Sequence, residues 1–331
     1  MINISKQESK TIDTMRFLCV VSIVFMHTDI SHLIPTNVAG DMHNVCMFLT
    51  NIYSGDALSF MFVLSGYLYF SRYINSWGGY FNKIKKRLWT LVVPYFIWCV
   101  IGTVFSLVTK NSQTSDLTFL KVFFGDAYSS WHPMGRAIWY VRDLIVFTLI
   151  SPVYYMLAKK MGLTLGLFFV IGFSYFQIIT PGYDFPSFNI WIFLGSLLSI
   201  HGVALSQVSK RGSWRIIMPF FMAYQFFATF YGTRIPLFYV LAWIGLFSLC
   251  IDFKISNRII GASTFLYFAH AYLTSIYRVS LVHMVSPSNM LSCVFVYLIA
   301  VSLTLITCYL LYITIKKASP RLLGYITGGR A

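Results

Sequence analysis

The feature that most constrains this chain is a series of apolar segments, each near the length that crosses a lipid bilayer. A transmembrane helix needs about 20 mostly apolar residues, and hydrocarbon favours helices because every backbone polar group must be bonded internally. Only 11% of the 331 residues are charged, against about 25% in soluble domains. We therefore predict an all-α, polytopic integral membrane protein. Ten spans fit, at 15–34, 53–71, 88–108, 139–158, 162–180, 187–203, 216–232, 235–251, 262–281 and 290–315.

The distribution of basic residues predicts how these spans are oriented. With the N-terminus in the cytoplasm, all but six of the 25 Lys and Arg residues fall in cytoplasmic segments or at span edges. The six are Lys110, Lys121, Arg136, Arg142, Arg234 and Arg278. Cytoplasmic loops carry such an excess of basic residues, and an even number of spans puts both termini in the cytoplasm. Topology and anionic membrane lipid therefore explain the net charge of +15, and we predict no nucleic-acid partner.

The first span, within TIDTMRFLCVVSIVFMHTD, carries ionisable residues at two depths. Asp13 and Arg16 stand where the apolar run begins, and His27 lies deep inside it. Eleven residues separate Arg16 from His27, which puts them on one helix face about 16 Å apart. Ionisable residues in hydrocarbon usually mark functional sites, so we predict a polar stripe that lines a cavity. The alternative is an interfacial Asp–Arg pair and a histidine bonded to a neighbouring helix.

A basic cluster precedes the third span, in KIKKRLWTLVVPYFIW from Lys83 to Trp98. Lys85, Lys86 and Arg87 approach the membrane together, and Arg87 is the deepest of these cations. The planar guanidinium of arginine suits phosphate groups. The cluster therefore indicates either a site for a phosphorylated substrate or charge that only sets topology.

Two later spans carry further candidates. Trp139 and Tyr140 begin the fourth span and are followed by Arg142 and Asp143, a pair that is costly in a membrane unless it lines a polar cavity. His270 in the ninth span can reach the depth of His27 and face the same cavity, or it can bind a neighbouring helix.

Other polar residues receive structural interpretations. The small residues Ser65 and Gly66 in the second span favour close helix packing. His32 and His43 fall in predicted outer loops and indicate surface roles. The cysteines and histidines show no metal-ligand spacing, so we predict no metal site.

Taken in order, these motifs resemble the acyltransferase-3 group of membrane-bound acyltransferases, which acylate extracellular glycans. The resemblance rests on Asp13-x-x-Arg16 with His27, FVLSGYL from Phe62 to Leu68, Lys86-Arg87 ahead of Pro94, WYVRDL from Trp139 to Leu144, and YFAH from Tyr267 to His270. Members often carry Arg-x-x-Arg in the basic entry, where this chain has Thr90 at the second position. About sixteen residues follow the tenth span, so the resemblance is to the stand-alone type without a hydrolase-like domain.

The resemblance implies a single transmembrane acyltransferase domain over residues 1–331 in a bacterial plasma (inner) membrane. The donor would be acyl-CoA, most often acetyl-CoA, used as a substrate without any bound cofactor. The acceptor would be a hydroxyl of a cell-surface glycan or lipid-linked saccharide. Arg16, Lys85, Lys86 and Arg87 would hold the anionic part of the donor. His27 would be the general base, because an imidazole pKa of about 6.5 suits proton transfer near neutral pH.

The remaining roles keep alternatives open. Asp13, Arg16, His27 and His270 form the predicted catalytic set, with His270 or Arg142 as the donor to the oxyanion. Trp139, Tyr140, Arg142 and Asp143 are assigned to the acceptor. Direct transfer and an acyl-histidine relay both fit the residues. A transporter or flippase for a glycan or lipid-linked intermediate is the main competing function, and a membrane scaffold without chemistry is the other.

Overall fold

We examined a computed structural model of the chain, in which every regular element of the described residues is helical. Those residues are 4–35, 37, 40–45, 57–71, 76–109, 122–123, 138–179, 189–209, 220, 223–224, 235–250 and 255–329. The helices are α1 (Lys6–His27), α2 (Ala57–Ser71), α3 (Trp77–Arg87), α4 (Val93–Val108), α5 (Trp139–Ile179), α6 (Ile190–Ile200), α7 (Leu205–Ser209), α8 (Pro236–Cys250), α9 (Asn257–Gly261), α10 (Ser263–Val285), α11 (Met290–Ala318) and α12 (Pro320–Thr327). Two short segments join them, a π-helical turn (Leu88–Val92) between α3 and α4 and a 3-10 turn (Ser31–Leu33) after α1.

Helix α1 is longer at its start and shorter at its end than the first predicted span. It begins after Ser5, whose side chain accepts a hydrogen bond from the backbone N–H of Glu8 and so caps the helix. It ends at His27, where the hydroxyl of Thr28 donates to the carbonyl of Val24 at 2.7 Å. His27 is thus the last residue of α1, while the apolar stretch that contains it continues to Leu33; its depth in the membrane remains a prediction.

Helix α5 contains two predicted spans and is broken between them. Gly162 has φ 71° and ψ 174°, which is not helical. Tyr154 and Phe169 lie on opposite sides of that break, yet both contact Phe193, with ring centroids 6.3 and 5.7 Å away. In a straight helix these two residues would be about 22 Å apart. The two halves of α5 therefore fold back on each other, with the break between the predicted fourth and fifth spans.

Four helical stretches of the described chain are long and apolar enough to cross a membrane. They are Lys6–Leu33, Trp77–Val108, Trp139–Phe176 and Met290–Ala318. The shorter apolar helices are Ala57–Ser71, Ile190–Ile200 and Leu237–Phe247. The count of ten spans and the cytoplasmic termini remain predictions, and the seventh span at 216–232 falls almost wholly outside the described residues.

Arg16, midway along α1, and the chain after α11 lie at the same end of the bundle. Gly328 follows α12 and packs against the backbone of Thr90, while Thr90 and Arg16 line one cavity. At the opposite end, the hydroxyl of Tyr297 near the start of α11 donates to the carbonyl of Phe25. We call these the Arg16 end and the His27 end of the bundle.

Helices α2 and α6 cross in close backbone contact through two glycines. A methyl group on Gly195 would overlap the carbonyl oxygen of Val63, and one on Gly66 would overlap that of Ile192. Small residues allow such backbone contact in membrane helices, which confirms the packing role of Gly66. Because ten of the eleven residues of α6 are buried, this crossing fixes α2 against an interior helix.

We expect Gly195→Ala to destabilise the protein by about 1–3 kcal/mol, because the added methyl forces the two backbones apart. Gly172→Ala is the matched control, since Gly172 also lies in a helix but has open space around its Cα. The control should keep or raise the melting temperature in detergent. Equal melting temperatures for the two variants would contradict this account of the crossing.

Candidate active site

A cavity of about 290 Å³ lies at the Arg16 end of the bundle. Five parts of the chain enclose it: α1, α2, the turn from α3 into the π-helical segment, α5 and α10. Its polar lining consists of Arg16, Ser65, Tyr69, Arg87, Thr90, Tyr140, Thr148, Ser263, Thr264 and Tyr267. The lining thus combines two cations with neutral hydroxyl groups.

The two cations are Arg16 of α1 and Arg87 of α3, which the sequence assigned to one function from separate motifs. Arg16 forms an ion pair with Asp13 at 3.7 Å, and the two side chains are 35% and 48% exposed. The guanidinium of Arg87 lies over the ring of Tyr69, 5.8 Å from its centroid. Both arginines therefore keep part of their charge directed into the cavity.

The neighbouring lysines occupy a different surface. Lys85 and Lys86 are exposed and do not line the cavity. Lys83 donates to the carbonyl of Tyr69 at 2.6 Å. The cavity itself therefore has Arg87 as the cation of this cluster, and Lys85 and Lys86 lie outside it.

The π-helical turn places Thr90 on the cavity wall. Single π-turns within α-helices often occur at functional sites. The hydroxyl of Thr90 is buried and makes no hydrogen bond, a condition that is rare in folded proteins. Gly328, in the left-handed conformation at φ 67°, packs tightly on the backbone of Thr90. Helix α12 thus supports the turn from behind.

A pair of hydroxyl groups crosses the cavity between α2 and α5. Ser65 Oγ and Tyr140 Oη are 2.7 Å apart, and both residues line the cavity. This corrects the purely packing role expected for Ser65. It also places Tyr140 beside Arg16 and Arg87, whereas the sequence assigned it to the acceptor.

Tyr267 stands between this cavity and the two histidines. Its ring lines the cavity and lies 5.7 Å from that of Tyr140 and 6.2 Å from that of His270. The rings of His27 and His270 are themselves only 5.2 Å apart. The structure therefore brings the two predicted histidines together, beyond the end of the cavity.

The hydrogen bonds of His270 define its tautomer. Its Nδ1 lies 2.7 Å from the carbonyl oxygen of Tyr267 and 3.1 Å from that of Leu266. Because a carbonyl only accepts, Nδ1 carries a proton, and in the neutral ring Nε2 then carries the lone pair. Nε2 is buried and makes no hydrogen bond. In this neutral form His270 cannot donate to an oxyanion, so the geometry favours a role as an acceptor.

The predicted acceptor residues form a packed group at the start of α5. Arg142 donates to one carboxylate oxygen of Asp143 through Nε at 3.1 Å and Nη2 at 2.9 Å, and each side chain is 13% exposed. The ring of Trp139 packs against Phe62 at 6.0 Å. The Arg–Asp pair is thus neutralised internally, the arrangement that a low-dielectric environment requires.

Two ionisable residues with close partners were not singled out from the sequence. Glu8 is 4% exposed and accepts hydrogen bonds from the hydroxyls of Tyr67 at 2.9 Å and Ser206 at 3.2 Å. Arg278 of α10 donates to the carbonyls of His27 and Asp29. For Arg278 the available signal was a charged residue within an apolar segment, whereas Glu8 lies in the polar stretch before the first predicted span and carried no such signal.

Comparison with known proteins identifies the family. The model of the acyltransferase-3 family, described as an acyltransferase domain, matches residues 9–313. The chain therefore belongs to this family, as the motifs predicted. No curated protein and no solved structure matches it. The family match and the apolar helices together fit a multi-pass membrane acyltransferase.

We expect the cavity to attract anions. A cysteine at Ser65 should react about tenfold faster with an anionic methanethiosulfonate than with a cationic one, because Arg16 and Arg87 face the same space. The described native cysteines are buried, and Cys46 would be replaced by serine. Ser288→Cys, on an exposed turn, should show no such preference. Equal rates at Ser65→Cys would contradict the predicted potential.

Proposed function

We propose that this protein is an integral membrane O-acyltransferase that moves an acyl group, most simply acetyl, from acyl-CoA to a glycan hydroxyl. The observation that supports it is the separation of two sites along α1. The cation-lined cavity begins at Arg16, and the paired histidines lie eleven residues further along. Such a layout suits a donor whose anionic head and reactive thioester are far apart.

The donor would enter from the Arg16 end. Its size argues that only part of the molecule is enclosed, because about 290 Å³ lies at the lower limit for ligand pockets. The pantetheine arm would occupy the cavity, and Arg16 and Arg87 would bind phosphate at its mouth. Exposed Lys85 and Lys86 would then contact only the outer part of the coenzyme.

The thioester would reach the histidines by passing Tyr140 and Tyr267. His27 would take the proton of the acceptor hydroxyl while the oxygen attacks the thioester carbonyl carbon. The carbon–sulfur bond then breaks, and the thiolate takes the proton from His27 to leave as free coenzyme A. The products are an ester and a thiol, so atoms and charge balance.

His270 would orient His27 for this step. Its unprotonated Nε2 is suited to accept the N–H of His27, which leaves the other nitrogen of His27 as the base. The ring spacing of 5.2 Å is within the range from which a side-chain rotation forms that bond. Asp13, near the other end of α1, would act by holding Arg16. Arg142 remains our candidate for the oxyanion donor.

The acceptor would approach at the start of α5, where Trp139, Arg142 and Asp143 lie. Trp139 supplies a flat face on which a sugar can stack, and Asp143 supplies carboxylate oxygens for its hydroxyls. Tyr140 would contact both substrates because it also lines the donor cavity. We place the protein in a bacterial plasma membrane, with a surface or lipid-linked saccharide as the acceptor. Both parts of the proposal rest on the family.

We expect membranes containing the wild-type protein to transfer radiolabelled acetyl from acetyl-CoA to surface polysaccharide, and His27→Ala to abolish transfer. His32→Ala is the matched control, since His32 is close in sequence but on the 3-10 turn. It should retain most activity. Equal labelling of the polysaccharide by wild type and His27→Ala would refute the role of His27. No labelling by either would favour the competing function, a transporter or flippase.

We expect Arg87→Gln to raise the KM for acetyl-CoA by about tenfold, because one charge-assisted phosphate contact contributes roughly 1.5–3 kcal/mol. Lys86→Gln removes a neighbouring charge that does not line the cavity and should change KM less than about twofold. Initial rates against acetyl-CoA concentration would measure both. Equal increases would show that the donor recognises the general charge of α3 instead of the cavity.

A further inference from the structure

The carbonyls at the last turn of α1 accept hydrogen bonds from neighbouring elements and from Thr28, which follows the helix. The last carbonyls of a helix have no partner within it, so they must be bonded elsewhere. Thr28 bonds the carbonyl of Val24, and Tyr297 of α11 bonds that of Phe25 at 3.0 Å. Arg278 of α10 donates through Nη1 to the carbonyl of His27 at 3.5 Å and of Asp29 at 3.2 Å.

Arg278 and His270 approach this turn from the same helix. They are eight residues apart on α10, about 12 Å along its axis. His270 faces the ring of His27, and Arg278 holds the backbone of the same residue and of the chain that follows. A cation at a helix C-terminus is also favoured by the helix dipole. Helix α10 therefore contacts His27 through both its ring and its main chain.

We infer that Arg278 is a positioning residue for the transfer reaction, a role that rests on the proposed function. It fixes the end of α1 so that the His27 ring stays opposite His270 and at one distance from the donor cavity. The carboxylate of Asp29 is engaged elsewhere: it accepts a hydrogen bond from the N–H of Ser31 at 2.8 Å and lies 3.4 Å from His43. Arg278 acts on the backbone.

The test combines kinetics with hydrogen exchange on the full-length protein in detergent. Arg278→Gln should lower kcat at least about tenfold while the KM for acetyl-CoA changes less than twofold, because misplacing a catalytic group slows chemistry without weakening donor binding. Arg278→Lys should recover part of kcat, since an ammonium still donates to a carbonyl. Arg258→Gln, at an exposed position on α9, is the matched control and should behave as wild type.

Exchange mass spectrometry gives a readout that needs no turnover. The peptide covering residues 22–33 should exchange faster in Arg278→Gln than in wild type or Arg258→Gln. An unchanged exchange rate in this peptide, or a rise in KM with unchanged kcat, would overturn the inference. If Arg278→Gln does not fold, Arg278→Lys carries the same two measurements. Absence of transfer by the wild-type protein would count against the proposed function alone. Hydrogen exchange tests independently whether Arg278 holds the end of α1.

Discussion

The structure depends on one constraint: an ionisable group among apolar helices needs a partner or a cavity, because hydrocarbon offers it no water. The charged residues buried near α1 follow this rule. Glu8 is bonded by Tyr67 and Ser206, Arg142 is paired with Asp143, and Arg278 is bonded to backbone carbonyls. Arg16 and Arg87 instead share the cavity. Arg16 is also paired with the half-exposed Asp13, whereas Arg87 lies over the ring of Tyr69, so the cavity is where these two cations meet.

Helix α10 is the element that relates the two ends of the site. Ser263 and Tyr267 line the cavity, His270 faces His27, and Arg278 holds the end of α1. Their spacing keeps them near one face of the helix, as the 3.6-residue period requires. These polar residues lower the mean hydropathy of α10. The helix is not among the four described stretches that are apolar enough to cross a membrane. Helix α10 therefore carries residues at both ends of the site without being one of those four stretches.

The features that the sequence predicted are those that lie within a single helix. It predicted the helical class and the division of α5 into two spans, since both follow from apolar length. The shared face of Arg16 and His27 remains a prediction from the helical period. The sequence did not reveal which helices are neighbours, so the hydroxyl pair of Ser65 with Tyr140 and the contact of Arg278 with His27 were missed. It also grouped Lys85 and Lys86 with Arg87 by adjacency, although successive residues on a helix point about 100° apart and only Arg87 reaches the cavity.

Thr90 shows how backbone geometry can change the meaning of a residue. Thr11, Thr103, Thr148 and Thr304 each donate their hydroxyl to the carbonyl four residues back, as threonines in regular helices do. Thr90 lies in the π-helical turn, and its hydroxyl makes no such bond. The position where relatives often carry a second arginine thus holds a buried hydroxyl without a partner on the wall of the cavity. The cavity therefore has a short polar group at this position, and its cations among the described residues are Arg16 and Arg87.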